Sequence, residues 1–162
     1  MLELARTEAA VVTCMASPEA LDAVHVPRTV TMVRVAPDEL LLIGAPGSAA
    51  RVAAAAAKTT HGIDDDALVM DVTDGWTVWT LGGGDAHDAF ERLSMLELPA
   101  VGVVQGDVAR LPVKVVVDGE RLRLAVPSSW AAYLRERIVG LALEVREDAE
   151  PHPWTSPKGG TA

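Results

Sequence analysis

The sequence predicts an α+β fold, a mostly antiparallel sheet with helices packed on it, and three observations point there. A strand, a proline, a serine cap and a helix follow a tight hairpin twice, as LLLIGAPGSAARV from Leu40 to Val52 and LRLAVPSSWAAYL from Leu122 to Leu134. Between these pseudo-repeated hairpin-plus-helix units lies DVTDGWTVWTLGGGDAHDAFERLSMLEL, Asp71 to Leu98, which reads as a strand, a glycine turn and a helix joined without slack. Hairpins outnumber crossover connections, which disfavours alternating parallel units.

Residues 1–28 read as an N-terminal arm, because Leu2, Leu4, Ala9, Val11 and Val12 suit either a helix or an irregular strand, although Ser17-Pro18-Glu19 looks like a helix start. A single α+β domain then spans residues 29–143. Val30 to Val35 and Leu40 to Ile43 form a hairpin about Ala36-Pro37-Asp38-Glu39. Ser48 is placed to cap an alanine-rich helix, Ala49 to Lys58, whose small side chains carry little helix-forming penalty. Thr59 to Asp66 is a loop and Ala67 to Val72 a strand. Trp76 to Leu81 is apolar on both faces, as in a strand covered on both sides, and Asp85 is placed to cap the following helix. That helix carries Ala86, Ala89, Phe90 and Leu93 as one apolar stripe. Val101 to Leu111 is weakly strand-like, with Gly102 and Gly106 suggesting a bulge or bend. Val113 to Val117 and Arg121 to Val126 are hairpin strands joined by Asp118-Gly119. A last helix follows Pro127-Ser128-Ser129, with Trp130, Leu134, Ile138 and Leu141 on its apolar face, and residues 144–162 read as a flexible tail.

Composition narrows the function. With 49% hydrophobic residues in 162 the chain can bury a core as a single domain or as two small halves sharing one core, and a net charge of −9 argues against nucleic acid as a partner. No stretch approaches the roughly 20 apolar residues of a membrane span. Glu3 and Glu8 stand where a secretory leader would carry Lys or Arg, so a cytoplasmic location is expected. Cys14 is the sole cysteine and cannot form an internal disulfide.

Candidate chemistry is sparse. The glycines before the third helix invite a phosphate reading, yet no Lys-Ser or Lys-Thr follows, and His87 stands where a dinucleotide fingerprint needs its third glycine. His25, His61, His87 and His152 share no metal-ligand spacing, and Asp64-Asp65-Asp66 lacks the pattern of a calcium loop. Cys14 has no identifiable activating neighbour. No catalytic or metal-binding residue is therefore assigned. Trp76, Trp79, Gly83 and Gly84 are the candidates for binding a flat anionic ligand, since an indole beside a helix start can stack on one. Trp154, in the tail, is a candidate anchor into a partner, and Arg121 and Arg123 share a strand face that is wet or meets another chain.

Three stretches carry a family resemblance: TVTMVRVAPDELLLIGAPGSAARVAA, MDVTDGWTVWTLGGGDAHDAFERL and VKVVVDGERLRLAVPSSWAAYLRERI. Together they resemble the folate-binding aminomethyltransferase (glycine cleavage T-protein-like) superfamily, and within it the sarcosine oxidase gamma subunit family. The central stretch resembles the family's Asp-x-Ser, strand, Gly-x-x-Ala, helix core, with Asp71 and Thr73 standing at the first motif and Gly83 or Gly84 and Ala86 at the second. Where folate-binding members carry a Gly-Tyr-Thr-Gly-Glu-like segment, this chain has Val115-Val116-Val117-Asp118-Gly119-Glu120. The resemblance implies the aminomethyltransferase folate-domain scaffold and an accessory, non-catalytic small subunit of a flavin-dependent amine or sarcosine-type oxidoreductase complex. It implies larger flavoprotein subunits as partners, with flavin (FAD or FMN), NAD and tetrahydrofolate held by them and no cofactor bound by this chain alone. The alternative is a stand-alone binder of a folate-like or other flat anionic molecule.

Overall fold

A computed structural model describes residues 1–156. In chain order the elements are β1 (Leu2–Glu8), β2 (Ala10–Met15), α1 (Pro18–Asp22), β3 (Thr31–Ala36), β4 (Glu39–Gly44), α2 (Ala49–Thr60), β5 (Leu68–Asp71), β6 (Trp76–Gly82), α3 (Ala86–Leu93), β7 (Val101–Val108), β8 (Leu111–Asp118), β9 (Arg121–Pro127), α4 (Ala131–Val139), β10 (Val145–Glu147) and β11 (His152–Pro153). The fold is α+β, as its hairpins and amphipathic stripes predict. It divides into two compact units in place of the single domain expected over 29–143. Met1–Glu8 and Asp74–His152 form the first unit; Ala9–Thr73 and Pro153–Ser156 belong to the second.

In the first unit the strands run in the order β10-β1-β6-β9-β8-β7. One face of this sheet is apolar at every second residue: Leu2 and Leu4, Trp79 and Leu81, Val113, Val115 and Val117, then Leu122, Leu124 and Val126. The predicted stripe of α3, Ala86, Ala89, Phe90 and Leu93, packs on that face with Leu134 and Ile138 of α4. Trp130 departs from the expected stripe. It sits in a 3-10 turn, Ser128–Trp130, ahead of α4, so the spacing of four to Leu134 is not helical there and the indole is 49% exposed.

The second unit is a four-stranded antiparallel sheet in the order β3-β4-β2-β5. Its core sets Ala10, Val12, Cys14, Leu40 and Leu42 against Leu21 of α1 and Val52 and Ala56 of α2. Each hairpin-plus-helix repeat therefore serves a different core. Ser17 caps α1 as expected, its Oγ accepting from Ala20 N–H at 3.4 Å. Ser48 makes no such bond to α2, because its hydroxyl donates to Ala45 O at 2.7 Å.

Residues 1–28 are not an arm. β1 lies between β10 and β6, and β2 lies between β4 and β5. Their partners are far along the chain, Glu3 opposite Gly82 and Val12 opposite Asp71, so no local pattern announces them. The expected flexible tail is likewise ordered to Ser156. β10 runs parallel to β1, Leu2 N–H donates to Glu144 O and Asp148 N–H to Leu4 O, both at 2.9 Å. Residues 157–162 of that expected tail lie outside the described residues. Gly102 and Gly106 make no bulge, since β7 pairs with β8 through eight continuous positions. A Cβ on Gly106 would lie 2.7 Å from Leu96 Cδ2, the movable end of a side chain, so Gly106 marks where Leu96 packs on β7 and not a bend.

Two further hairpin tips are tight. Gly119-Glu120 joins β8 to β9, with Gly119 at φ 59°, whereas Ala109-Arg110 joins β7 to β8 with φ 52° and 67°. Positive φ at two successive non-glycine residues costs on the order of 1–2 kcal/mol for each.

Arg135 of α4 grips Glu147 of β10 with a two-pronged contact, Nε to Oε1 at 2.6 Å and Nη2 to Oε2 at 2.5 Å. These bonds hold the Glu147 carboxyl below its ordinary range, while burial opposes them. Because the folded-state value is depressed, the pair contributes fully above the ordinary glutamate pKa of about 4.3 and its contribution is lost as pH falls through the lower folded value. Chemical denaturation between pH 7 and pH 2 should therefore show a shallower acid loss of stability for Glu147→Gln than for the parent chain.

Candidate functional site

The glycine turn after β6 was the strongest local candidate for a ligand, and its geometry shows what the glycines are for. Gly83 has φ +79°, and a Cβ there would lie 2.6 Å from the Met1 carbonyl oxygen. The turn is thus shaped by the close passage of the chain entering β1. Gly84 has open space around its missing Cβ. Asp85 does not cap α3 with its side chain; its carboxylate instead sits 2.7 Å from the Met1 amino group. Asp85, and Asp88 in the first turn, place negative charge at the helix start, which opposes anion binding there.

Trp76 and Trp79 do not converge. Three residues apart on one strand, they project from opposite faces of the sheet. Trp79 is buried in the core of the first unit and its indole N–H donates to Ala131 O at 3.1 Å. Trp76 is half-buried, opposite Pro127 of β9. The ligand-binding candidates therefore form no single pocket.

The partner-binding candidates are also redistributed. Trp154, expected to be exposed in a flexible tail, is 3% exposed. Arg123, expected on a wet face, is likewise 3% exposed, opposite Thr80 and Val116, with Asp118 at 3.4 Å. Burial pulls its guanidinium below the ordinary value, and Asp118 pulls the other way. Arg121 alone of the three stays exposed, at the start of β9 beside the hairpin tip. Sequence reasoning missed the exposed aromatic pair, Trp130 with Tyr133 edge-on at 6.4 Å. The signal for it was Pro127-Ser128-Ser129, which starts a 3-10 turn before the helix proper.

The remaining reactive residue types are engaged locally. His25 meets Ala23 O at 2.7 Å, His61 meets Ala67 O at 2.8 Å, His87 meets Gly119 O at 3.3 Å and His152 lies 3.2 Å from Asp148. Asp64 accepts from Ser17 N–H at 2.6 Å and from Asp66 N–H at 3.0 Å, so it organises a turn; these bonds lower its pKa. Asp71 and Thr73, the first resemblance motif, form a side-chain turn. Thr73 Oγ1 donates to Asp71 Oδ1 at 2.6 Å and accepts from Val11 N–H at 3.0 Å, and the Thr73 donors hold the Asp71 carboxyl low. Among the described residues no group of three or more His, Cys, Asp or Glu side chains could hold a metal ion.

No family model matches the sequence, and no curated protein matches it. Solved structures do match the fold. A chain of heterotetrameric sarcosine oxidase from Corynebacterium sp. U-96 superposes with a TM-score of 0.70 at 15% identity, over 90% of this chain and 88% of that one. Glycine cleavage system aminomethyltransferase T from Bartonella henselae gives 0.65 at 14% identity, over 90% of this chain and 47% of that one. The fold is aminomethyltransferase-like. This chain spans about half the length of that aminomethyltransferase. A more distant likeness, TM-score 0.51 at 8% identity over 87% of this chain and 96% of the other, is to the regulatory subunit of aspartate kinase from Thermus thermophilus. At these identities the likeness concerns the aminomethyltransferase-like scaffold. No helix of the described residues is long and apolar enough to cross a membrane.

Two measurements test this account of the site. Gly83→Ala should lower stability by about 1–3 kcal/mol in urea denaturation, because it adds a Cβ at positive φ against a backbone oxygen. Gly84→Ala, with open space, should cost less. Cys14 is fully buried and burial pushes its thiol up to about 11, so the native chain should leave Ellman's reagent uncoloured at pH 8 and react only once unfolded.

Proposed function

We propose that this chain is an accessory, non-catalytic small subunit of a multi-subunit flavin-dependent amine or sarcosine-type oxidoreductase, held against larger flavoprotein subunits. One observation carries the reading. The likeness to a chain of heterotetrameric sarcosine oxidase runs nearly end to end on both sides, whereas it takes in only half of the aminomethyltransferase. That broad overlap with one chain of a multi-subunit oxidase is what supports a subunit role.

The chemistry of the described residues agrees with that role. Cys14 is a protonated core thiol, Trp79 is a core indole, and the helix start at Asp85 is negatively charged. Flavin, NAD and tetrahydrofolate then belong to the partner subunits, and a cytoplasmic location goes with the reading. The exposed pair Trp130 and Tyr133 offers the large amphipathic side chains from which partner contacts are commonly made.

The test is co-expression of the tagged chain with the products of the genes adjacent to its own, followed by affinity capture and size exclusion. The expected result is a co-eluting species with flavin absorbance. Trp130→Ala should weaken that association while changing the stability of the isolated chain by no more than about 0.5 kcal/mol, as for an exposed position. Elution of the chain by itself, colourless, in every combination would overturn the reading.

A further inference from the structure

The first unit carries a concave pocket of about 380 Å³ lined by Arg92, Leu93, Ala109, Arg110, Tyr133 and Arg137. Three pieces of backbone build it: the last turn of α3, the tip of the β7–β8 hairpin and one face of α4. Ala109 N–H donates to Leu93 O at 2.7 Å and Ser94 Oγ donates to Asp107 O at 2.7 Å, which fixes the hairpin tip to the end of the helix. Tyr133 and Arg137 are four residues apart on α4 and so share a face.

The arginines differ in their commitments. Arg92 is 2.8 Å from Asp88 and also reaches Leu141 O at 3.4 Å. Among the described residues no carboxylate lies within ion-pair distance of Arg110 or Arg137. In a chain of net charge −9, two uncompensated guanidinium groups and a third nearby share one concavity. Arg110 is moreover delivered there by a backbone that suits glycine, with φ 67° following Ala109 at φ 52°. A tight hairpin with positive φ at both tip residues favours Asn-Gly, so neither residue is the choice of the turn itself.

We propose that this pocket binds a small phosphate-bearing anion, with Arg110 and Arg137 gripping phosphoryl oxygens and the Tyr133 hydroxyl as a neutral donor. A single carboxylate is satisfied by one guanidinium fork, whereas a tetrahedral phosphoryl group presents enough oxygens for two or three at once. The volume suits a compact molecule. The negative charge of the whole chain repels anions at a distance, so selection depends on these short-range contacts and weakens with salt.

The full-length chain is melted with sodium pyrophosphate, inorganic phosphate or citrate, each at the same ionic strength made up with sodium chloride. Saturating pyrophosphate should raise Tm by about 2–4 °C, and phosphate by less. Without ligand, Arg110→Gly should melt higher than the parent chain, because glycine relieves the positive φ, and it should lose the pyrophosphate response. Stability and binding then move in opposite directions, which a merely structural arginine would not produce. Arg137→Gln should melt like the parent chain without ligand and bind pyrophosphate about tenfold more weakly by calorimetric titration. No response of the parent chain to pyrophosphate, a full response retained in both variants, or an equal response to citrate would each overturn the proposal.

Discussion

The pairing of β1 between β6 and β10 is the constraint on which the first unit rests. A strand inside a sheet must satisfy two rows of backbone N–H and C=O groups, and β1 does so with partners about 70 and 140 residues away along the chain. Leu2 and Leu4 bring with them two fully buried side chains of the core that α3 and α4 cover. The route by which the chain enters β1 also accounts for Gly83, whose missing side chain leaves room for the Met1 carbonyl. One pairing thus fixes a sheet, a core and a turn.

That pairing spans Ala9–Thr73, the main part of the second unit, which lies between β1 and β6 along the chain. Closing a flexible loop of that length would oppose folding by roughly 4 kcal/mol beyond a constant term. The second unit removes most of this cost if it folds first, because its own ends meet. β2 and β5 are adjacent strands, Val72 N–H donates to Val11 O at 2.9 Å, and Thr73 Oγ1 accepts from Val11 N–H at 3.0 Å. Asp71 holds Thr73 in place for that contact. The Asp-x-Thr motif, the feature most suggestive of a functional signature, is therefore a fastener at the exit of an inserted unit.

What was legible in the sequence was local. The β3–β4 and β8–β9 hairpins, the stripe of α3 and the cap of α1 depend on residues within a few positions of one another, and each is found. β1, β2 and β10 depend on partners that sequence periodicity does not reveal, so an arm and a tail were expected where the chain runs in sheets. The same limit governs the candidate site. Trp76 and Trp79 are close in sequence but strand alternation separates them, while Arg92, Arg110 and Arg137 are scattered in sequence and line one pocket. Trp154 looked free because the chain around it is rich in proline, yet composition says nothing about what an indole is buried against.

The three tight hairpins differ in a way that packing alone does not explain. Pro37-Asp38 and Gly119-Glu120 carry residues that turn geometry selects for physical reasons, a preset φ in one and free access to positive φ in the other. Ala109-Arg110 carries neither. Ala109 is nearly buried and bonded to the end of α3, so a small side chain at that position has a packing reason. Arg110 is exposed, and glycine at its position would relieve the backbone. A residue kept against local preference, at the tip of a hairpin pinned to a helix end, projects a fixed positive charge from a rigid support. Departures from local consistency of this kind are where function is to be sought in a scaffold otherwise consistent from turn to core.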